Sequence, residues 1–151
     1  MSMNDGELPQ EERSRFNAAN YRLRSTLMTA SERLFFKKLR EALGEKYDIY
    51  PQVNLDKIFQ VRFQPTRVAF NAAKWTIDRR SLDFLITERE TQRPVAGIEL
   101  DDLTHRFDNR IVRDMKVEAL FRENGINLIR FNTSDDFSGV ELKRLFEKRN
   151  I

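Results

Sequence analysis

Three short apolar runs limit what this chain can fold into: Leu82–Thr87 (LDFLIT), Val95–Asp101 (VAGIELD) and Ile126–Phe131 (INLIRF). Each is bounded by polar or turn-forming residues and is too short for a core helix, so each reads as a strand. The polar linker Glu88–Pro94 is short enough to join the first two as a hairpin. Between the second and third runs, Asp108 or Asn109 caps a helix that extends to about Asn124 and stops at Gly125. Ile111, Met115, Ala119 and Leu120 supply its expected buried stripe.

Upstream, Thr29-Ala-Ser-Glu32 has the form of a capping box, with Thr29 capping a helix and Glu32 reaching back. Leu34, Phe35, Leu39, Ala42 and Leu43 follow as one apolar stripe, and Gly44 ends the helix. Tyr47–Val53 reads as extended, with Pro51 marking an edge or an end. Residues 55–63 are ambiguous, 65–74 suit a short helix, and Val140–Lys148 a closing amphipathic one. The expected fold class is α/β (α+β), a mixed central sheet flanked by helices. Residues 1–22 are polar and aperiodic and are expected to form a flexible N-terminal arm, leaving 23–151 as one domain.

Composition removes whole classes of chemistry. The 151 residues include no cysteine, one histidine and five glycines. Disulfides, iron–sulfur clusters, cysteine nucleophiles and multi-histidine metal sites are excluded. The glycines have neither GxGxxG nor GKS/T spacing, which removes both common phosphate-binding loops. No run approaches the ~20 apolar residues of a membrane span, and the N-terminal stretch lacks the apolar core of a signal peptide. A cytoplasmic protein without membrane contact is expected. Lys plus Arg number 27 and Asp plus Glu 24, and this net +3 permits nucleic acid as a partner without demanding it. Carboxylate chemistry or plain binding is what remains.

Two acids lie inside otherwise apolar strands, Asp83 in SLDFLI and Glu99 in GIELDD. Residues two apart on a strand share a face, so Asp101 points the same way as Glu99. A hairpin can set Asp83 beside them. Converging carboxylates repel and raise each other's pKa unless a cation joins them. Mg²⁺ takes such oxygen ligands, with Mn²⁺ able to substitute, and supports phosphodiester hydrolysis. His105, just past the strand end, has a pKa suited to proton transfer. Glu32 starts at the inner edge of its helix and can both cap and contact a site. Arg113 and Lys116, three apart, share a helix face that can present cations to a phosphate. Arg62, Arg67, Lys74, Arg79 and Arg80 interleave with Phe63, Phe70 and Trp75. That mixture suits a nucleic-acid groove, or an ordinary arrangement of core aromatics and surface cations.

Several of these pieces stand in a familiar order. They are Leu27–Phe36 (LMTASERLFF), Pro51-Gln-Val, Leu82-Asp83-Phe-Leu-Ile, Ile98-Glu99-Leu-Asp101-Asp followed by His105, Arg113-Asp114-Met-Lys116, and Gly125–Phe131 (GINLIRF). The set resembles a family of the PD-(D/E)XK (restriction-endonuclease-like) nuclease superfamily, related to very-short-patch-repair-like endonuclease domains. The resemblance covers about residues 23–131. It implies a core of helix, three-stranded meander, helix and strand, and Mg²⁺-dependent cleavage of DNA. Asp83 matches the first acid and Glu99 the second, both metal-binding. Glu32 matches the helical glutamate, and His105 the histidine of the short-patch-like branch. The lysine of the (D/E)XK pattern is replaced by Asp101. Three readings stay open: the lysine has migrated to Lys116; Asp101 is a third metal ligand with His105 moving the proton; or activity is lost.

The expected function is therefore a Mg²⁺-dependent DNA endonuclease, with Glu32, Asp83, Glu99, Asp101, His105 and Lys116 in the site. Asp83, Glu99 and Asp101 are its candidate metal ligands. Arg79, Arg80, Arg106, Arg110, Arg113 and Lys116 are candidate DNA contacts. The alternative is a catalytically inactive nucleic-acid-binding module of the same fold. A third possibility is an interaction domain docking an acidic protein. A homodimer or a partner protein would supply specificity.

Overall fold

The structure, a computed structural model, describes residues 7–101 and 108–151, and only the backbone of 108–111. Its main elements are α1 (Gln10–Arg13), α2 (Ala30–Leu43), β1 (Tyr47–Asn54), α3 (Arg67–Asp78), β2 (Ser81–Glu88), β3 (Pro94–Asp101), α4 (Asp108–Glu123), β4 (Asn127–Asn132) and α5 (Gly139–Lys148). The capping box forms as expected: Thr29 Oγ1 accepts the Glu32 N–H at 3.2 Å, and the Glu32 carboxylate accepts the Thr29 N–H at 2.7 Å. Gly44 follows at φ 64°, a conformation that costs a glycine little. Ser138 and Glu141 repeat the box at the start of α5. The ambiguous stretch after β1 resolves into a short 3₁₀ turn, Leu55–Lys57, and the helix expected within 65–74 extends to Asp78.

The four strands lie in the order β1-β2-β3-β4. β1 and β3 both run antiparallel to β2, and β4 runs parallel to β3 after the α4 crossover. The sheet is therefore mixed, as expected. β1 is an edge strand, which is where Pro51 can be tolerated.

Two apolar layers cover the sheet. Phe84, Ile86, Ala96, Ile98, Ile129 and Phe131 pack against Leu39, Ala42 and Leu43 of α2 and Leu142 and Phe146 of α5. On the other side Leu82 and Leu85 meet Leu55, Ile77 of α3, and Val117 and Phe121 of α4. Gly97 makes room for this second layer, because a Cβ there would lie 2.6 Å from the Phe121 ring.

Two expected stripes need correction. Leu34 is 58% exposed, since it lies five residues, or about 140° round the helix, from Leu39. Phe36 packs on the core in its place. In α4 the buried residues are Val117 and Phe121, and Met115 is 62% exposed. The sequence of α4 carries two overlapping apolar spacings, and the recess over Gly97 selects the one containing Phe121. Ala119 and Leu120 are half-buried, and the Ile111 side chain lies outside the described residues. Among the described residues no helix is long and apolar enough to cross a membrane.

Candidate functional site

The sheet opens at the end where β2 begins and β3 and β4 finish. The β2–β3 ladder stops at the pair Phe84↔Ile98. One step further, the Asp83 carboxylate accepts the Leu100 N–H at 2.7 Å. A side chain thus replaces the backbone as acceptor, and it fixes the Asp83 carboxylate at the strand edge. Glu99 sits across from it, and the two carboxyl groups are within hydrogen-bonding reach of each other.

Both groups are half-buried, and both pKa values move up. For Glu99 the causes are burial first, then the charge and hydrogen bond of Asp83, and they push it to about 8. Asp83 is raised by burial and by the charge of Glu32, partly offset by the Leu100 N–H and the side chains of Glu99 and Gln52. The pair therefore retains a proton near neutral pH, with Glu99 the group that keeps it and Asp83 the acceptor.

The neighbours come from three other elements. Glu32 uses one carboxylate oxygen to cap α2 and the other to accept from Gln52 Nε2 at 3.1 Å. The cap is the expected one, and the second oxygen ties Glu32 to Gln52. Gln52 also acts on Asp83, drawing its pKa down slightly against the effect of burial. Its backbone has φ 52°, a left-handed conformation unusual for a residue with a side chain. It was not foreseen as a site residue. The only signal was its place after Pro51 in the edge strand.

Arg130 was also not singled out. It pairs in register with Glu99 and lies 3.4 Å from Asp101 Oδ1, 3.8 Å from Asp114 and 3.1 Å from Glu118. Its charge acts to lower the Glu99 pKa but does not overcome burial. The signal for it was available: a lone charge in an apolar strand, the same feature that drew attention to Asp83 and Glu99.

The structure brings together Glu32, Asp83, Glu99 and Asp101. Lys116 is exposed and lies two residues from both Asp114 and Glu118, about 200° round the helix from each. The face of α4 turned to Arg130 and Asp101 therefore presents acids, not Lys116. Arg113 is exposed, and its carbonyl accepts from Arg80 at 2.7 Å. Arg79 is exposed, with its guanidinium 3.8 Å over the Trp75 ring. His105 and Arg106 lie outside the described residues, as does the Arg110 side chain.

Among the described residues no three acidic or histidine side chains form a ready metal-ligand group. The centre of the site is a carboxyl pair. That is still compatible with Mg²⁺, which takes one or two carboxylates and completes its shell with water and phosphate oxygens.

Fold and site thus define an α+β protein with a mixed sheet and a half-buried pair of acids at one sheet end. Over residues 24–149 the chain matches the family described as protein of unknown function DUF2726, and it belongs to that family. No curated protein and no solved structure matched it.

Proposed function

We propose that this protein is a metal-dependent DNA endonuclease of the PD-(D/E)XK, restriction-endonuclease-like kind. The observation that carries this reading is the meeting of Asp83 and Glu99 at the open sheet end. Two half-buried carboxyls that share a proton at neutral pH are both held as anions there most readily by a cation between them. The available donors are all oxygen, which suits Mg²⁺, with Mn²⁺ able to substitute. Asp83 and Glu99 would hold the ion, and Asp101 stands next in line. Such an ion, when bound, acidifies water and neutralises charge on a phosphodiester.

The chain's own residues have distinct tasks in this reading. The Leu100 N–H holds one oxygen of Asp83, so the carboxylate cannot rotate freely. Gln52, held by the Glu32 carboxylate, stands beside Asp83 and favours its charged form, while the Glu32 charge opposes it. Arg130 stands beside Glu99 and Asp101, where the motif lysine is missing, and would stabilise charge on the phosphate. This assigns to Arg130 the charge that the sequence suggested for Lys116. Lys116, with Arg113, is left to contact DNA phosphates from the surface. His105, four residues beyond Asp101, is the group proposed to move a proton.

The replacement of the motif lysine by Asp101 favours one second reading, a nucleic-acid-binding module of the same fold without cleavage. A supercoiled-plasmid assay in Mg²⁺, Mn²⁺ and EDTA, run with wild type and Glu99→Ala, separates the two. Nicking is expected in either metal, none in EDTA, and none with the variant. Salt-dependent retention of DNA without a nick in any divalent ion would overturn the endonuclease reading.

A further inference from the structure

The outward face of α3 is built for contact with something other than the core. Ile77 points inward and is 4% exposed. On the opposite side Val68, Ala72, Trp75 and Arg79 follow at steps of four, three and four, which aligns them along one helix face. Val68 is 80% exposed and Trp75 60%, and Phe63, just before the helix, is 92% exposed. The aromatics of this segment are thus not core residues.

The surroundings are basic. Residues 62–80 carry Arg62, Arg67, Lys74, Arg79 and Arg80 against the single acid Asp78, a net +4 where the whole chain is +3. Asp78 is itself paired with Lys74. The guanidinium of Arg79 lies 3.8 Å from the Trp75 ring centroid, so it steadies the indole and places a cation beside it. An accessible, pre-oriented ring in a basic field complements a polyanion with flat faces, which is single-stranded nucleic acid.

The platform is also tied to the acid pair. Arg79 and Arg80 lead directly from α3 into β2, and Arg80 is bonded to α4 through the Arg113 carbonyl. Arg79 precedes Asp83 by four residues, so their Cα atoms are separated by at most about 14 Å. Trp75 lies one helical turn before Arg79, about 6 Å further, so its Cα is at most about 20 Å from that of Asp83, or about six base steps along a strand.

We propose that Trp75 stacks an unpaired base, so that the preferred DNA carries a single-stranded stretch or end and the scissile bond lies within about six nucleotides of the stacked base. This rests on the endonuclease reading for the identity of the polymer and of the cleaved bond.

Trp75 is the only tryptophan in the chain, so tryptophan emission, excited at the red edge where the three tyrosines do not absorb, reports this face alone. The test titrates wild-type protein in EDTA with a single-stranded oligothymidylate and with a blunt hairpin duplex. The expected result is strong, salt-dependent quenching by the single strand and little by the duplex. Anisotropy of a labelled oligothymidylate should show Trp75→Ala weakened about tenfold or more, with Trp75→Phe keeping most of the affinity. Equal quenching by both DNAs, or equal affinity of Trp75→Ala and wild type, overturns the proposal. So does a dimer in sedimentation that Trp75→Ala dissolves while DNA leaves the fluorescence unchanged. Because EDTA removes cleavage, the two readings fail separately. Quenching without nicking in any metal sinks the endonuclease and leaves the platform. Nicking with an unaffected Trp75→Ala does the reverse.

Discussion

Asp83→Asn is expected to lower metal-dependent DNA cleavage by at least about 10³-fold while the protein still folds. A metal-coordinated phosphodiester gains several kcal/mol of transition-state stabilisation, and each 1.36 kcal/mol is a factor of ten in rate. Asparagine loses the anion that would hold the ion. It keeps an acceptor oxygen for the Leu100 N–H, the bond at 2.7 Å that closes the β2–β3 edge. Asp83→Ala does not separate the two effects. It leaves that N–H without its partner, at a cost of about 1–3 kcal/mol, so the alanine variant is a poorer probe than the strands alone suggest. Circular dichroism and thermal unfolding of Asp83→Asn check the fold, and initial nicking rates check the chemistry. Wild-type rates in this variant would remove Asp83 from the site.

Glu99→Gln is expected to stabilise the metal-free protein at alkaline pH. The Glu99 carboxyl is raised from 4.5 to about 8 by burial and by Asp83. Below about pH 4.5 the folded and unfolded chains both hold the proton. Between pH 4.5 and 8 the unfolded chain releases it while the folded chain keeps it, so the native state binds more protons and stability falls as pH rises. Above about 8 both are ionised and the penalty is complete. Asp83, also raised, contributes with the same sign. Glutamine carries no such proton. At pH 8.5 in EDTA its advantage over wild type should be on the order of 3 kcal/mol. It should vanish near pH 4.5. Melting curves from pH 4.5 to 9 in EDTA decide the matter. A wild type whose Tm is flat over that range, or a less stable Glu99→Gln at pH 8.5, would show that the pair is not held as described.

Much of the fold was legible because it is written in local signals. The Thr29–Glu32 box, the stops at Gly44 and Gly125, and the short linker between LDFLIT and VAGIELD each act within a few residues. Which side of a helix faces the sheet was less legible. Leu34 and Met115 fit an apolar spacing but turn outward, because Phe36 and Phe121 fill the available space better. The convergence of Asp83 and Glu99 could be read from the short hairpin linker between their strands. The neighbours around them could not. Gln52 stands beside Asp83 in an unusual backbone conformation, and Arg130 arrives from the parallel strand beyond the α4 crossover. Neither the conformation nor the strand order is encoded by spacing within a single segment. The cation role given to Lys116 followed from its helix. The helix is instead turned so that Asp114 and Glu118 face Arg130.

The proposed function makes the Asp83–Glu99 pair the seat of a divalent ion, so binding of that ion is the most direct test. Mn²⁺ titrated at pH 8 into wild type and Asp83→Asn, each with a short DNA duplex, can be followed by electron paramagnetic resonance as free Mn²⁺ disappears. Wild type should hold an ion that the variant does not, and Mg²⁺ should displace it. Equal Mn²⁺ uptake by the two proteins, or none by wild type, would contradict a metal centre at Asp83 and Glu99.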